Sequence, residues 1–397
     1  MCIAGPHTHT HTHTSSYPSL SVPSPLVYTH IHTPLSLSPV MFLYVCVLLV
    51  GYYVWCWYTH THTHTHTHTH TSLSLSPVMF LYVCVLLVGY YVWRWLRELS
   101  TVADKGNRYV YVTGCDSGFG ALLARTLDAR GFRVLAACYT EKGEEELRKS
   151  CSDRLTTLHL DVRSNHSINN AAALIKDKVG DKGLWGVVNN AGVSVPSGQC
   201  DWLTIEDYRS MLDVNLMGVI AVTLSVLPLI KKAQGRVVNM SSIFGRIAPT
   251  GGPYCVSKYG VEGFCDSLRL NMHAFGVKVI CIEPGFFKTN VTDTEILMSN
   301  VQQLWDKLPQ DVKDDYGDDF VPKVHQVMLD RFAKLPDADL MKVVSCMEHG
   351  VSALHPRKRY SPGWDAKLFW LPLSYLPSCV SDYLLLKEAP KPAKAVI

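Results

Sequence analysis

The stretch YVYVTGCDSGFGALLARTLDA (109–129) decides the fold. An apolar run of strand composition stops at Gly114, and a helical pattern begins at Phe119. Gly114 permits a tight turn. Gly118 and Gly120 let the backbone approach a pyrophosphate at the positive end of the helix. A glycine-rich loop between the first strand and the first helix of an α/β unit marks a dinucleotide site.

The same alternation continues outward. The pattern predicts strands at 109–113, 132–138, 156–160, 185–189, 236–240 and 277–282. It predicts helices at 119–129, 141–150, 168–179, 205–230 and about 253–275. Most strands are near-continuous apolar runs, as expected when both faces are covered. The expectation is an α/β fold, a single Rossmann-like doubly wound parallel sheet. Ligands in such sheets sit beyond the C-terminal strand edges.

The residues at those edges carry the chemistry. The second strand ends at Cys138, where an acid for the ribose hydroxyls is expected, and no Arg is there for a 2′-phosphate. Asp116 inside the loop would repel an extra phosphate, which favours NAD over NADP. Asp161 closes the third strand, within reach of an adenine amino group. Asn189-Asn190-Ala191-Gly192 closes the fourth, where short amides can tie strands together and leave room for a cofactor. Asn215 is disfavoured inside a helix, which suggests a task there, a kink or a bound water. Ser242 follows the fifth strand, and Pro284-Gly285 follows the sixth, with Thr289 able to reach a carboxamide.

Tyr254 and Lys258, at i and i+4, share a helix face. A nearby cation favours phenolate and lowers the phenol pKa from its usual ~10. That makes a proton carrier usable near neutral pH. In a chain with 19 Tyr the spacing alone means little. Ser242 upstream and the dinucleotide loop give it meaning.

Taken in order, TGCDSGFG (113–120), NNAG (189–192), Asn215, Ser242, YCVSK (254–258) and PG (284–285) resemble the classical short-chain dehydrogenase/reductase family. LDARGFRVLAAC (127–138), DKGLWGVVNNAG (181–192), EPGFFKT (283–289) and GWDAKL (363–368) resemble its membrane-associated retinol and hydroxysteroid branch. The resemblance runs from Met79 to Val396. It implies an NAD-dependent oxidation of a lipophilic alcohol, a retinoid or a steroid, at an endoplasmic-reticulum membrane. It implies Tyr254 as proton acceptor, Lys258 as its tuner and ribose ligand, Ser242 as orienter of the carbinol oxygen, and Asn215 as holder of a relay water. It places Gly114, Ser117, Gly118, Phe119, Gly120, Asp161, Asn189, Ala191, Gly192, Lys258 and Thr289 around the cofactor. Cys138 departs from the family's acid, and the short interval from Ser242 to Tyr254 leaves Ser241 a weaker candidate. An NADPH-dependent carbonyl reductase and an inactive NAD-binding membrane scaffold are the alternatives. A homodimer is left open.

The organisation expected is 79–95 as a membrane anchor, 107–290 as the NAD-binding catalytic core, and 291–397 as a substrate-covering and membrane-proximal part of the same domain. Phe286, Phe287, Ile296, Leu297, Met298 and Trp305 offer that cover apolar surface. Residues 1–78 are unlike the rest. They hold Thr-His and Ser-Leu alternation, and LSLSPVMFLYVCVLLVGYYVW occurs at both 35–55 and 73–93. Alternating His could bind a divalent metal, but CA and CT repeats translate to these patterns. A gene-model artefact with a natural start at Met79 is the expectation, and no metal site is expected. No Asp, Glu, Lys or Arg precedes Arg94. The uncharged stretch 79–93 is short for a span, yet Arg94 and Arg97 after it favour a cytosolic body. The segment 367–386, broken by Pro372 and Pro377, either dips into the interface or closes the core. A net charge of +3 leaves no nucleic-acid footprint, and Arg357-Lys358-Arg359 reads as a solvated loop that could touch anionic lipid. The 13 Cys show no zinc spacing and read as reduced thiols. Asn165-His166-Ser167 is a glycosylation sequon that reports on topology.

Overall fold

The computed structural model describes residues 77–249 and 252–396. The expectations for residues 1–76 lie outside the described residues. Seven strands form the sheet: β1 (Tyr109–Thr113), β2 (Arg133–Cys138), β3 (Leu155–His159), β4 (Gly186–Asn189), β5 (Arg236–Met240), β6 (Lys278–Ile282) and β7 (Arg359–Tyr360). Their order is β3-β2-β1-β4-β5-β6-β7, and every pair is parallel. The order reverses between β1 and β4, which opens a crevice at their C-terminal ends. The glycine loop after β1 lies there. β7 has only two residues and no apolar run, so sequence pattern missed it.

Helix α1 (Pro77–Leu99) leads into the sheet. Then come α2 (Gly118–Ala129), α3 (Glu141–Ser150), α4 (Asn165–Val179), α5 (Ile205–Leu212), α6 (Val219–Ala233) and α7 (Pro253–Met272). After β6 follow α8 (Thr294–Lys307), α9 (Gln310–Tyr316), α10 (Phe320–Lys334) and α11 (Met341–Ser352). Leu123, Leu127, Val343 and Met347 pack one face of the sheet. Ile168, Ile175, Val226, Ile230 and Val261 pack the other. This is the doubly wound arrangement that the apolar strands predict.

Two long apolar helical stretches behave differently. Ile205–Lys232 has the length and hydropathy of a span, yet it buries Val222, Val226 and Ile230 under the sheet, so it is core. It is also not one helix: Asp213–Gly218 is a π-helical turn between α5 and α6. By contrast, α1 leaves Leu81, Tyr82, Leu86, Trp93 and Leu96 exposed. Its 23 residues reach about 34 Å at 1.5 Å per residue, enough for a hydrocarbon layer of about 30 Å. The helix continues through Arg94 and Arg97, so it is longer than the uncharged stretch suggests.

The C-terminal segment closes part of the core and leaves large apolar side chains outside it. Ala366, Trp370 and Leu373 are buried against Ile243 and Ile247. Leu368, Tyr375, Tyr383 and Leu386 stay exposed, at 63 to 71%. No disulfide joins the ten described cysteines.

Candidate active site

A cavity of about 1710 Å³ opens at the C-terminal edge of the sheet. Its floor is the loop after β1. Gly114 takes a left-handed φ of 68°, and a Cβ there would lie 2.7 Å from the Ala191 backbone. A Cβ on Gly120 would fall 2.1 Å from the Gly114 carbonyl oxygen. Only glycine lets the helix start this close to the turn. Ser117, Gly118 and Phe119, at the N-terminus of α2, line the cavity. Their free N–H groups and the helix dipole suit a pyrophosphate. The residues therefore fit a nicotinamide dinucleotide.

The loop's acid has a definite seat. Asp116 accepts from the main-chain nitrogens of Tyr139 (2.9 Å) and Thr140 (2.8 Å) and from the Thr140 hydroxyl (2.7 Å). These groups lie just past β2, at the place where sequence shows only Cys138. Asp116 thus brings a carboxylate to the position of the missing acid.

Ser242 follows β5, and α7 begins with Pro253 at its first turn, which puts Tyr254 opposite Ser242. The Ser242 hydroxyl accepts from Phe244 N at 3.2 Å, lines the cavity with the phenol of Tyr254 and acts to lower its pKa. Ser241 instead donates to the Lys258 carbonyl, at 3.4 Å. Of the two serines, Ser242 is the phenol's partner. Lys258 is buried; its Nζ donates to the Met240 carbonyl at 3.1 Å and lies 5.6 Å from the Tyr254 ring centroid.

The electrostatics differ from the sequence expectation. A cation at i+4 should lower the phenol pKa. Instead protein crowds the hydroxyl, and loss of hydration pushes Tyr254 up to about 12, against a smaller lowering by Ser242. The same burial pushes Lys258 down to about 8. Desolvation penalises the charged form of each group. At 5.6 Å the ammonium does not offset it.

The remaining expected residues divide into two sets. Ala191, Gly192, Lys258 and Thr289 line the cavity with the glycine loop; Asp161, Asn189 and Asn215 do not. Asp161 is paired with the Arg163 guanidinium, at 3.0 and 2.9 Å, which holds its carboxyl below the usual range. Asn189 is buried and donates to Thr223 and Asn239, both at 2.8 Å, tying β4 to α6 and β5. The neighbouring Asn190 faces the loop instead, donating to the carbonyls of Thr113 (3.1 Å) and Gly114 (3.0 Å). Asn215 sits in the π-helical turn with its amide committed to the Val193 backbone.

The cavity's cover is apolar. Phe286, Phe287 and Leu297 line it, whereas Ile296, Met298 and Trp305 do not. Trp305 packs on Trp202, 5.4 Å between rings, in a small separate core. Phe369 and Trp370 also line the cavity, and sequence reasoning missed them. Their signal was the aromatic density of the C-terminal segment, whose contacts only the fold supplies.

Fold and glycine loop together define a dinucleotide-dependent dehydrogenase. The short chain dehydrogenase family profile matches residues 108–299. Retinol dehydrogenase 16 of Mus musculus is 54% identical over 300 residues, covering 76% of this chain and 94% of that one. The 17-beta-hydroxysteroid dehydrogenase type 6 of Homo sapiens is 52% identical with the same coverage. A short-chain dehydrogenase from Streptomyces avermitilis shares the fold at 22% identity, with a TM-score of 0.55 over 71% of this chain and 97% of its own. The chain belongs to the short-chain dehydrogenase family, in its retinol and hydroxysteroid branch. It is an alcohol dehydrogenase that uses a nicotinamide dinucleotide.

Proposed function

We propose that this protein is a membrane-anchored, NAD-dependent dehydrogenase that oxidises lipophilic alcohols, retinol to retinal first and hydroxysteroids second. The observation that carries the reading is that Ser242, Tyr254 and Lys258 line one apolar cavity together with the glycine loop. The relatives' names supply the substrate class: retinol and 17-beta-hydroxysteroid dehydrogenases.

The bound dinucleotide supplies the hydride acceptor and, oxidised, a positive ring. The chain's own residues handle orientation and the proton. Ser242 holds the carbinol oxygen against the Tyr254 phenol. Tyr254, favoured as phenolate by the positive charges of Lys258 and the oxidised ring, takes the hydroxyl proton as the carbinol carbon gives up hydride. Lys258, pinned to Met240 O, keeps a positive charge beneath the phenol and reaches the nicotinamide ribose. Phe286, Leu297, Phe369 and Trp370 exclude water and match an apolar skeleton. Asp116, seated past β2, accepts from ribose hydroxyls and repels a 2′-phosphate, which supports NAD over NADP.

Location follows from solubility. Retinoids and steroids partition into lipid, and α1 is long and exposed enough to span a bilayer. Arg94 and Arg97 at its base favour a cytosolic body on the endoplasmic reticulum. Asn165 of the sequon is exposed. Insensitivity to endoglycosidase is therefore expected, and a mobility shift would place the body in the lumen. The deciding assay offers retinoids and hydroxysteroids to membrane fractions with each nicotinamide cofactor. NAD-dependent retinal formation that disappears in Tyr254→Phe, with NAD binding kept, is the expected result. Turnover near wild type in that variant would sink the assignment.

A further inference from the structure

We infer that Asp365 is a positioning residue that sets the 284–289 loop and, through it, the grip on the nicotinamide end of the dinucleotide; this rests on the cofactor reading above. Asp365 stands in the C-terminal segment, in the cavity wall, yet is only 2% exposed. Its carboxylate therefore serves protein backbone. The Oδ2 atom accepts from Phe286 N at 2.9 Å.

The seat is built around this group. A Cβ on Gly285 would lie 2.2 Å from a carboxylate oxygen of Asp365, and one on Gly363 would lie 2.6 Å from it. Gly363 also adopts a φ of 107°, which L side chains rarely adopt. Two glycines thus make room for one buried carboxylate. A buried charge in such a seat persists only where its hydrogen bonds are met.

The loop is held from three sides. On the catalytic side, Ile243 N donates to Pro284 O at 2.9 Å, next to Ser242. On the C-terminal side, Gly285 N donates to Pro362 O (2.9 Å) and Phe286 N to Asp365. Beyond, Asp337 N donates to Phe286 O at 2.9 Å, and Lys288 N to Asp337 O at 3.0 Å. Of these contacts, only the Asp365 bond rests on a side chain. The loop then delivers Phe287 and Thr289 to the cavity. Releasing Phe286 N would free the loop where it turns toward Thr289, the residue assigned to the carboxamide.

The test uses the full chain in detergent, with ligand binding read by tryptophan fluorescence. Asp365→Leu keeps size and removes the acceptor; Asp365→Asn keeps an acceptor oxygen. Asp365→Leu should weaken NAD+ at least about tenfold while leaving ADP-ribose, which lacks nicotinamide, within about twofold. Asp365→Asn should restore NAD+ binding to within about threefold of wild type. Equal losses for both ligands, or unchanged NAD+ binding in Asp365→Leu, overturn the inference. Where Asp365→Leu does not fold, Gly285→Ala drives a methyl into the carboxylate and decides by the same ratio. A wild-type protein that binds no NAD+ would instead sink the cofactor reading.

Discussion

Asn215 and Val193 exchange two hydrogen bonds of 2.8 Å, Val193 N donating to Oδ1 and Nδ2 donating to Val193 O. The side-chain amide acts as a strand partner for a segment that lines the cavity. The π turn at Asp213–Gly218 brings the amide there. Asn215→Ala leaves two backbone groups without partners, each costing about 1–3 kcal/mol where water does not reach. We expect a lower thermal midpoint together with a lower kcat. Asn215→Asp should also fail, since a carboxylate cannot donate to Val193 O. Wild-type kcat in a folded Asn215→Ala protein would remove this support from the site.

The fold was readable because most of β1 to β6 are apolar runs whose period needs no tertiary help. The cradle was readable too, since Gly114 and Gly120 act through their own backbones. What sequence could not give were distances between segments. Asn189 and Asn190 are adjacent and chemically identical, yet one ties β4 to β5 and the other braces the glycine loop. Period two sends them to opposite sides, but nothing in the sequence says which side holds the cavity. The phenol's ionisation was misjudged for a similar reason. The i+4 spacing shows that Lys258 is near, while the depth of burial that outweighs it is a property of the packed state.

The ionisation of Tyr254 has a measurable consequence. With its folded pKa raised from 10.0 to about 12, Tyr254 favours the folded state below pH 10. That contribution is lost as pH rises from 10 to 12. Lys258, lowered from 10.5 to about 8, acts oppositely: the folded state gains as pH rises from about 8 toward 10.5. The denaturation midpoint without cofactor should therefore climb above pH 8 and fall beyond 10. Lys258→Met should flatten the climb, and Tyr254→Phe the fall. In ultraviolet difference spectra, wild type minus Tyr254→Phe, the phenolate step should move down when NAD+ is added. A step that ignores NAD+ would refute the charge argument.

The proposed preference for NAD rests on Asp116. Asp116→Asn keeps acceptor oxygen for Tyr139 N and removes the charge. The ratio of kcat/KM for NAD over NADP should fall at least about tenfold, about 1.4 kcal/mol. An unchanged ratio would move the discrimination elsewhere, with Arg163 beside Tyr139 the next group to vary.

Helix α1 is clamped to the body. Arg357 Nε donates to Glu98 Oε1 at 2.7 Å and its Nη2 to Oε2, a two-point grip on the last turn of α1. His349 bridges the same turn to the sheet, with Nε2 2.9 Å from Glu98 O and Nδ1 2.6 Å from the Tyr360 hydroxyl. Past the helix, Val102 N donates to Ser352 O at 2.8 Å and Leu354 N to Ser100 O at 2.7 Å. A flexible tether would need none of these. Arg357→Met removes the charge-assisted pair and leaves Glu98 half-buried with Arg94 alone, 3.0 Å away. The cost is about 1.5–3 kcal/mol. Since α1 carries few other contacts to the body, the loss should appear as local opening at 99–108 rather than global unfolding. Trypsin should then cut at Lys105 or Arg108 faster than in wild type, with little change in the thermal midpoint of the sheet. Unaltered cleavage would mean that the backbone bridge at Val102 and Ser100 holds the helix by itself.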